Sequence, residues 1–473
     1  MENKQQLGMI GLGTMGSNLV LNMCDKGFSV AGYDQNETKV SELLASANGK
    51  MLTATTNIDS FINSLQLPRV IMMLVPAGKI VDAVIADLLP HLQPDDIIID
   101  CGNSHFTDTQ LRVTNLAKSN IHFMGIGISG GETGARFGPS IMPGGDRKAY
   151  QVIAPVLEAI AAKVDEKPCT AYMGNGAAGH YVKMVHNGIE YAIMQLLAET
   201  YHILKVHGGL NNKALHDVYT KWDAGRLKSY LVQITAAIFL QQDEITGNGL
   251  IDMIADTAKQ KGTGAWTSED AMKLPSPIPT IDAAVTQRII SSLKKERVVA
   301  AAHFNTHNAA EQAANTETLI NDVEQALYAG FIITFAQGMA LLQKASAAYE
   351  FGINLSTVAA IWRGGCIVRA NELNSISDVL NEENELHNLL LSSYFSSEIS
   401  AAEPALRRTV VRSIQQGIPV PALSACINYK DSYCSPWLPA NLIQAQRDFF
   451  GAHSYERIDK QGTFHTDWNE TIQ

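Results

Sequence analysis

The sequence predicts an α/β Rossmann-type N-terminal domain, then a large all-α domain and a C-terminal tail. Three observations carry that reading. A glycine fingerprint, Gly11-Leu12-Gly13-Thr14-Met15-Gly16, follows directly on a short apolar run. More apolar runs of strand length recur through the first ~175 residues, with helical stretches between them. Past Gly174-Asn175-Gly176-Ala177-Ala178-Gly179 the pattern is almost wholly helical, until composition turns polar and aromatic at Ser435-Pro436-Trp437.

In chain order, Leu7–Ile10 reads as a strand and the fingerprint as the turn after it. A helical pattern continues through Leu19, Val20 and Met23 to Lys26, with Gly27 as its C-terminal stop. Residues 28–34 return to strand. The runs 70–75 and Ile97–Asp100, apolar but for the closing Asp100, read as parallel strands buried on both faces. The small-residue hinge at 174–179 leads into one helix over Ala178–Val206, roughly 40 Å long at 1.5 Å per residue. Helical segments are expected at about 210–260, 280–302, 314–350 and 396–416. The expected domains are 1–177, 178–434 and a tail, 435–473.

Composition bounds the function. The chain has 473 residues, 46% hydrophobic and 18% charged, with a net charge of −11. That balance argues against a general nucleic-acid binder but admits a small anionic substrate held by local cations. Six cysteines without a C-x-x-C pair make a disulfide framework or zinc site unexpected and point to a reducing cytoplasm. The N-terminus lacks a signal-peptide pattern. The apolar stretch 329–342 includes Gln337 and reads as too short to span a bilayer, so a soluble intracellular protein is expected.

The fingerprint follows a strand and opens a helix, the context in which it binds a dinucleotide. Gly11 makes the tight turn, Gly13 admits the pyrophosphate, and Gly16 permits close helix–strand packing. Thr14 and Met15 sit at the helix N-terminus, which attracts the anion. The plainer alternative is a glycine turn without a ligand. Asp34 falls where the adenosine ribose lies; its carboxylate accepts from a 2′-OH and repels a 2′-phosphate. Gln35 and Asn36 bring no cation, and Lys39 is the nearest one. NAD is therefore favoured, with NADP as the alternative.

The chemistry concentrates in Lys183-Met184-Val185-His186-Asn187-Gly188-Ile189-Glu190-Tyr191. At about 100° per residue, Lys183, Asn187, Glu190 and Met194 fall on one helical stripe. An amine and a carboxyl on one rigid surface suit proton shuttling, with Lys183 as base and Glu190 as acid. The bland alternative is a solvated charge pair. Ser129, Gly130 and Gly131 form a turn able to offer a hydroxyl and backbone N–H groups to a carboxylate. His303 and His307 have metal spacing but lack the glutamate of a zinc-hydrolase motif, so no metal is expected. His202 and His207 read as ordinary helix residues.

With these motifs, the chain resembles the 6-phosphogluconate dehydrogenase (decarboxylating) family. The resemblance extends to Ile99-Asp100-Cys101-Gly102-Asn103-Ser104, Gly127-Ile128-Ser129-Gly130-Gly131-Glu132 and Phe137 through Gly145. It continues in Gln260-Lys261-Gly262-Thr263-Gly264, Ile361-Trp362-Arg363-Gly364-Gly365-Cys366-Ile367 and Gln446 through His453. The resemblance implies metal-free oxidative decarboxylation of 6-phospho-D-gluconate to ribulose 5-phosphate and CO2. It places Val75 and Asn103 with the cofactor, and Asn103, His186 and Asn187 with the polyol hydroxyls. It assigns Tyr191, Lys261, Thr263, Arg288 and Arg447 to the phosphate. It also implies a homodimer in which one tail, with Arg447 and His453, completes the neighbour's site.

Three departures stand out. Asp34-Gln35-Asn36 replaces the common Asn-Arg-Thr, which unsettles the family's usual NADP preference. Pro76 stands where many members have lysine, and Ala265 stands where lysine precedes the tryptophan. The rivals are another β-hydroxyacid dehydrogenase, such as one acting on 3-hydroxyisobutyrate, and a non-catalytic dinucleotide sensor.

Overall fold

The computed structural model describes residues 4–304, 315–383 and 386–468, so His307 of the dismissed histidine pair lies outside the described residues. Seven strands form one sheet: β1 (Leu7–Ile10), β2 (Val30–Tyr33), β3 (Leu52–Thr55), β4 (Val70–Met73), β5 (Ile97–Asp100), β6 (His122–Ser129) and β7 (Ser140–Gly145). Their order is β3-β2-β1-β4-β5-β6-β7. The first six run parallel, and β7 returns antiparallel to β6. Around it lie α1 (Thr14–Asp25), α2 (Glu37–Ala45), α3 (Ile58–Asn63), α4 (Lys79–Leu88), α5 (Phe106–Ala117), α6 (Gly131–Phe137) and α7 (Arg147–Ile160).

The apolar strands supply both faces. Met72, Ile97 and Ile99 join Leu19, Val20 and Met23 of α1 and Ile153 and Leu157 of α7 in one core. Ile71, Met73 and Ile98 point the other way, onto Phe61 of α3, Val81 and Ile85 of α4, and Leu116 of α5. Sequence order reverses direction between β1 and β4, which opens a crevice at the strands' C-terminal ends.

The helical part begins with α8 (Ala178–Val206), whose bounds agree with the sequence periodicity. After it come α9 (Asn212–Asp223), α10 (Tyr230–Ile238), α11 (Leu250–Met253), α12 (Thr263–Lys273), α13 (Pro279–Ser292) and α14 (Lys294–His303). Then follow α15 (Thr316–Ala348), α16 (Leu355–Ile361), α17 (Glu372–Glu382), α18 (Ser393–Gln415) and α19 (Pro421–Tyr433). The expected helical segment 210–260 is broken. Asp243 accepts from both the N–H (2.8 Å) and the hydroxyl (2.7 Å) of Thr246, and Gly247 takes a φ of 72°. That local turn outcompetes helix. The apolar stretch 329–342 also needs correction, because it lies within a 33-residue helix that is long and apolar enough to cross a membrane. Its most apolar window is instead 89% buried inside the fold.

Four glycines let α8 lie directly on the sheet. A Cβ added to Gly144 on β7 would sit 2.1 Å from the Gly179 nitrogen. One on Gly179 would sit 2.2 Å from the Gly125 carbonyl oxygen, and one on Gly127 would sit 2.3 Å from the Lys183 Cβ. Residues 1–426 form one compact unit, with no break in packing where sheet gives way to helix.

Residues 427–473 form a second unit. It holds α20 (Ala440–Gly451) and a hairpin of β8 (Tyr455–Glu456) and β9 (Thr463–Phe464). Asp448 organises it by accepting from Ser454 N–H (2.8 Å), His465 Nδ1 (2.9 Å), Thr466 N–H (3.0 Å) and Trp468 Nε1 (2.9 Å). Desolvation alone would raise its pKa, yet these donors hold the carboxyl far below the usual range.

Gly179→Ala is expected to destabilise the protein by about 1–3 kcal/mol through overpacking, read as a lowered Tm. At Gly225 an added Cβ meets nothing nearer than 3.6 Å. Gly225→Ala should therefore stay within about 0.5 kcal/mol of the parent.

Candidate active site

The crevice is built from the turn after β1. Gly11 has a φ of 90°, and a side chain there would strike the Leu74 carbonyl oxygen at 2.4 Å, with Val75 close behind. A Cβ on Gly16 would lie 1.9 Å from the Gly11 carbonyl oxygen, so this glycine packs against the turn itself rather than against a strand. A Cβ on Gly13 would meet nothing within 4 Å, which leaves bare backbone facing open space. No side chain caps α1, so N–H groups of its first turn, including Thr14 and Met15, are left for an anion. These features fit a dinucleotide pyrophosphate.

Asp34 does more than await a ribose. Its carboxylate accepts from Leu12 N–H (2.9 Å) and Asn36 N–H (2.9 Å), and Lys39 Nζ lies 3.3 Å away. Burial pushes its pKa up, but the two backbone donors and Lys39 more than offset this and keep it lowered. Asp34 therefore holds the fingerprint loop as an ionised group.

Lys183 projects from α8 beside the crevice, 8% exposed, and donates to Asn187 Oδ1 at 2.9 Å. Burial lowers its pKa below that of an ordinary lysine, against the opposing pulls of Glu190 and Cys366. Glu190 shifts the other way: burial raises its pKa, partly opposed by Lys183 and Arg288. Asn103, Asn187 and Thr263 line one small cavity with Lys183.

His186 is fully buried. Its Nε2 lies 3.3 Å from Ser129 Oγ, and its Nδ1 lies 3.2 Å from Asn187 Oδ1. The network assigns the proton to Nδ1, with the Ser129 hydroxyl donating to Nε2. Burial, and then Lys183, push the imidazole pKa well down, so the ring is neutral. Its 3.9 Å approach to Glu190 Oε2 is thus polar rather than ionic. An edge-on contact with Trp362, at a 5.4 Å ring separation, fixes the ring plane.

The turn after β6 needs its glycines. Gly130 and Gly131 take φ of 114° and 64°, and a Cβ on Gly130 would lie 2.5 Å from the Gly365 carbonyl oxygen. Helix α12 packs on α8 through Thr267, whose hydroxyl donates to the Met184 carbonyl at 3.0 Å. A Cβ on Gly188 would meet Thr267 at 2.9 Å, and one on Gly264 would meet the Tyr191 ring at 2.5 Å. Both glycines are thus packing requirements that bring Thr263 to the site. The Arg288 guanidinium stacks 3.4 Å over the Tyr191 ring, and its Nη2 lies 3.4 Å from Met194 Sδ.

One unit thus contains Asn103, Ser129, Lys183, His186, Asn187, Glu190, Tyr191, Thr263 and Arg288 around α8. Lys261 is exposed in the segment before α12. Arg447 and His453 belong to the second unit, where Arg447 donates to Gln444 Oε1 at 3.1 Å and His453 packs edge-on to Phe450. Sequence reasoning missed His180 and Trp266, which line the same cavity as Lys183. The signal for His180 was its position one turn before Lys183. Trp266 stands one turn into α12, beyond Thr263. A surface cleft of about 690 Å³ around His122, Asp146 and Asn175 contains none of these groups. Among the described residues, no three His, Cys, Asp or Glu side chains gather as a metal site.

Two family models match the chain. The NAD binding domain of 6-phosphogluconate dehydrogenase matches residues 6–174, and the 6-phosphogluconate dehydrogenase C-terminal domain matches 179–468. The NADP(+)-dependent, decarboxylating 6-phosphogluconate dehydrogenase of Bacillus subtilis is 50% identical over 98% of this chain and 99% of its own length. The decarboxylating enzyme of Escherichia coli is 47% identical, with the same coverage. A structure of Plasmodium falciparum 6-phosphogluconate dehydrogenase, described in apo form and with NADP+ and 6-phosphogluconate, superposes with a TM-score of 0.95. It is 40% identical and covers 98% of this chain and 100% of its own.

The opposed shifts of Lys183 and Glu190 dictate a pH dependence. Turnover that needs the neutral amine is lost as pH falls through the lowered lysine pKa. Turnover that needs the protonated carboxyl is lost as pH rises through the raised glutamate pKa. A bell-shaped kcat/KM profile is expected; Glu190→Gln should remove the alkaline limb and, by removing the charge that raises the Lys183 pKa, move the acid limb to lower pH.

Proposed function

The chain belongs to the 6-phosphogluconate dehydrogenase family, and from that premise we propose that it catalyses NAD(P)-dependent oxidative decarboxylation of 6-phospho-D-gluconate to D-ribulose 5-phosphate and CO2. The observation that carries this reading is the buried Lys183 amine, hydrogen-bonded to Asn187 and two turns from the Glu190 carboxyl, at the crevice mouth. The dinucleotide, when bound, accepts the hydride. Every proton movement falls to side chains of this chain.

Lys183, neutral, takes the C3 hydroxyl proton as hydride leaves C3. The resulting ammonium donates a hydrogen bond to the new ketone and stabilises the charge that develops there as the C1–C2 bond breaks and CO2 departs. The electron pair of that bond enters the ketone, and the Lys183 proton completes the enediol. Glu190 then protonates the new terminal carbon while the enediol O–H proton returns to Lys183. One proton transferred from Lys183 to Glu190 resets the pair. Neutral His186 orients Ser129 and Asn187 for the carboxylate and hydroxyls. Tyr191, Thr263 and Arg288, with Lys261, form the phosphate end.

The finer cofactor preference follows from Asp34, which favours NAD by repelling a 2′-phosphate. Lys39, at 3.3 Å, tempers that repulsion. The homodimer with exchanged tails is supported by large apolar side chains exposed in the second unit, among them Trp437 (65%), Leu442 (61%) and Phe450 (73%). All six cysteines are free, which fits the cytoplasm we assign to the chain. A dinucleotide sensor would have no use for a buried base beside an acid, and is the weaker reading.

Incubation with 6-phosphogluconate and NAD or NADP, following reduced nicotinamide and CO2, tests the activity; absence of both products would overturn it. Lys183→Ala should lower kcat by at least about 100-fold, and Glu190→Ala should chiefly slow the later protonation. Asp34→Asn, which keeps an acceptor for Leu12 N–H, should move the NADP/NAD ratio of kcat/KM toward NADP by about tenfold. An unchanged ratio would remove Asp34 as the determinant. Mixing Lys183→Ala chains with Arg447→Ala chains should restore activity in hybrid dimers, since one site then has both a working base and a working tail. Hybrids that stay inactive would rule out action in trans.

A further inference from the structure

Arg112 lies on α5, outside every motif used above, with its side chain 6% exposed. Its guanidinium reaches two loops at once. On one side Nη2 donates to the Gly78 carbonyl at 3.1 Å, and Nε donates to Asp82 Oδ1 at 2.8 Å, at the start of α4. On the other, Nη1 lies 3.4 Å from Ser104 Oγ and 3.7 Å from Asp100 Oδ2.

Asp100 ends β5, fully buried, and accepts from Gly102 N–H (2.9 Å) and the Ser104 hydroxyl (2.5 Å). The Asp100 carbonyl oxygen lies 3.1 Å from His180 Nε2, one turn before Lys183 on α8. The loops are already close, for a Cβ on Gly102 would lie 3.1 Å from the Val75 carbonyl oxygen. Hydrogen bonds thus run from the loop after β4, through Arg112, to the loop carrying Asn103 and on to the helix carrying Lys183.

The position of these loops gives the linkage a purpose. Asp34 marks the adenosine side of the crevice, over β2, so the nicotinamide half falls on the β4–β5 side. There the ring must meet both Asn103 and the carbon that Lys183 serves. We propose that Arg112 is a positioning residue: its guanidinium fixes the gap between loops 74–78 and 101–104, and so sets the nicotinamide against the reacting carbon. This rests on the dehydrogenase reading. Geometry rather than stability is what the arrangement supplies, because a buried ion pair adds little net stability over an apolar filling.

The test compares wild type, Arg112→Lys, Arg112→Met and Asp82→Ala. The Asp82 side chain is 59% exposed, and without it Arg112 keeps its partners Gly78, Ser104 and Asp100. Lysine keeps the charge but cannot reach both loops. Direct titration with NAD and NADP should show coenzyme binding weakened by about tenfold in both Arg112 variants, and by less in Asp82→Ala. In turnover kcat should fall, while 6-phosphogluconate binding without coenzyme stays within about twofold and Tm follows the substrate rather than the coenzyme. Wild-type coenzyme affinity in Arg112→Lys overturns the proposal, as does loss of both ligands in step with Tm. Should the Arg112 variants fail to fold, unchanged coenzyme affinity in Asp82→Ala overturns it. Coenzyme titration needs no sugar acid, so a wild type inactive on 6-phosphogluconate would sink the functional reading and still leave this linkage testable.

Discussion

Backbone pressed on backbone, where α8 crosses β6 and β7, is the constraint on which this site depends. Gly125, Gly127, Gly144 and Gly179 carry no Cβ at that crossing; main-chain atoms take the space at Gly144 and Gly179, and side-chain atoms of His180 and Lys183 take it at Gly125 and Gly127. The Lys183 Cβ itself fills the position a Gly127 side chain would claim. A helix held at that distance brings its first turns to the C-terminal ends of the strands. There the crevice made by the strand-order reversal already faces the fingerprint turn. One close contact therefore joins the dinucleotide half and the chemical half.

The same closeness creates the electrostatics. Excluding water around α8 disfavours every charge on its inner face, and the consequences differ by residue type. The amine of Lys183 releases its proton more readily, the carboxyl of Glu190 keeps its proton longer, and His186 is neutral. Lys183 and Glu190 each moderate the other's shift. One environment thus shifts the amine toward its neutral form and the carboxyl toward its protonated form, without separate arrangements for each. Neutral His186 then serves as a hydrogen-bonding spacer between Ser129 and Asn187.

Beneath these groups lie residues that set the distances between them. Thr267 ties α12 to α8, Trp362 fixes the His186 ring, and Gly365 underlies the Ser129 turn. The second unit follows another logic, since one buried carboxylate, Asp448, gathers four donors from a segment of few apolar contacts. That is how a polar, aromatic chain end acquires order of its own.

The alternation of strands with helices, the fingerprint turn and the full length of α8 were legible in the sequence. They depend on local periodicity and on glycine's access to positive φ. The 183–191 motif was legible too, because residues three and four apart on a helix are neighbours whatever surrounds them. Residues 242–249 were misjudged, since a side-chain turn at Asp243 competes with a helix that composition alone allows. The reasons for Gly188 and Gly264 were hidden, because their partners, Thr267 and Tyr191, lie far along the chain. Only tertiary structure could show that Asp34 holds its own glycine loop, or that Arg112 spans two loops. Contacts of that kind are set by packing, and packing leaves no period in the sequence to read.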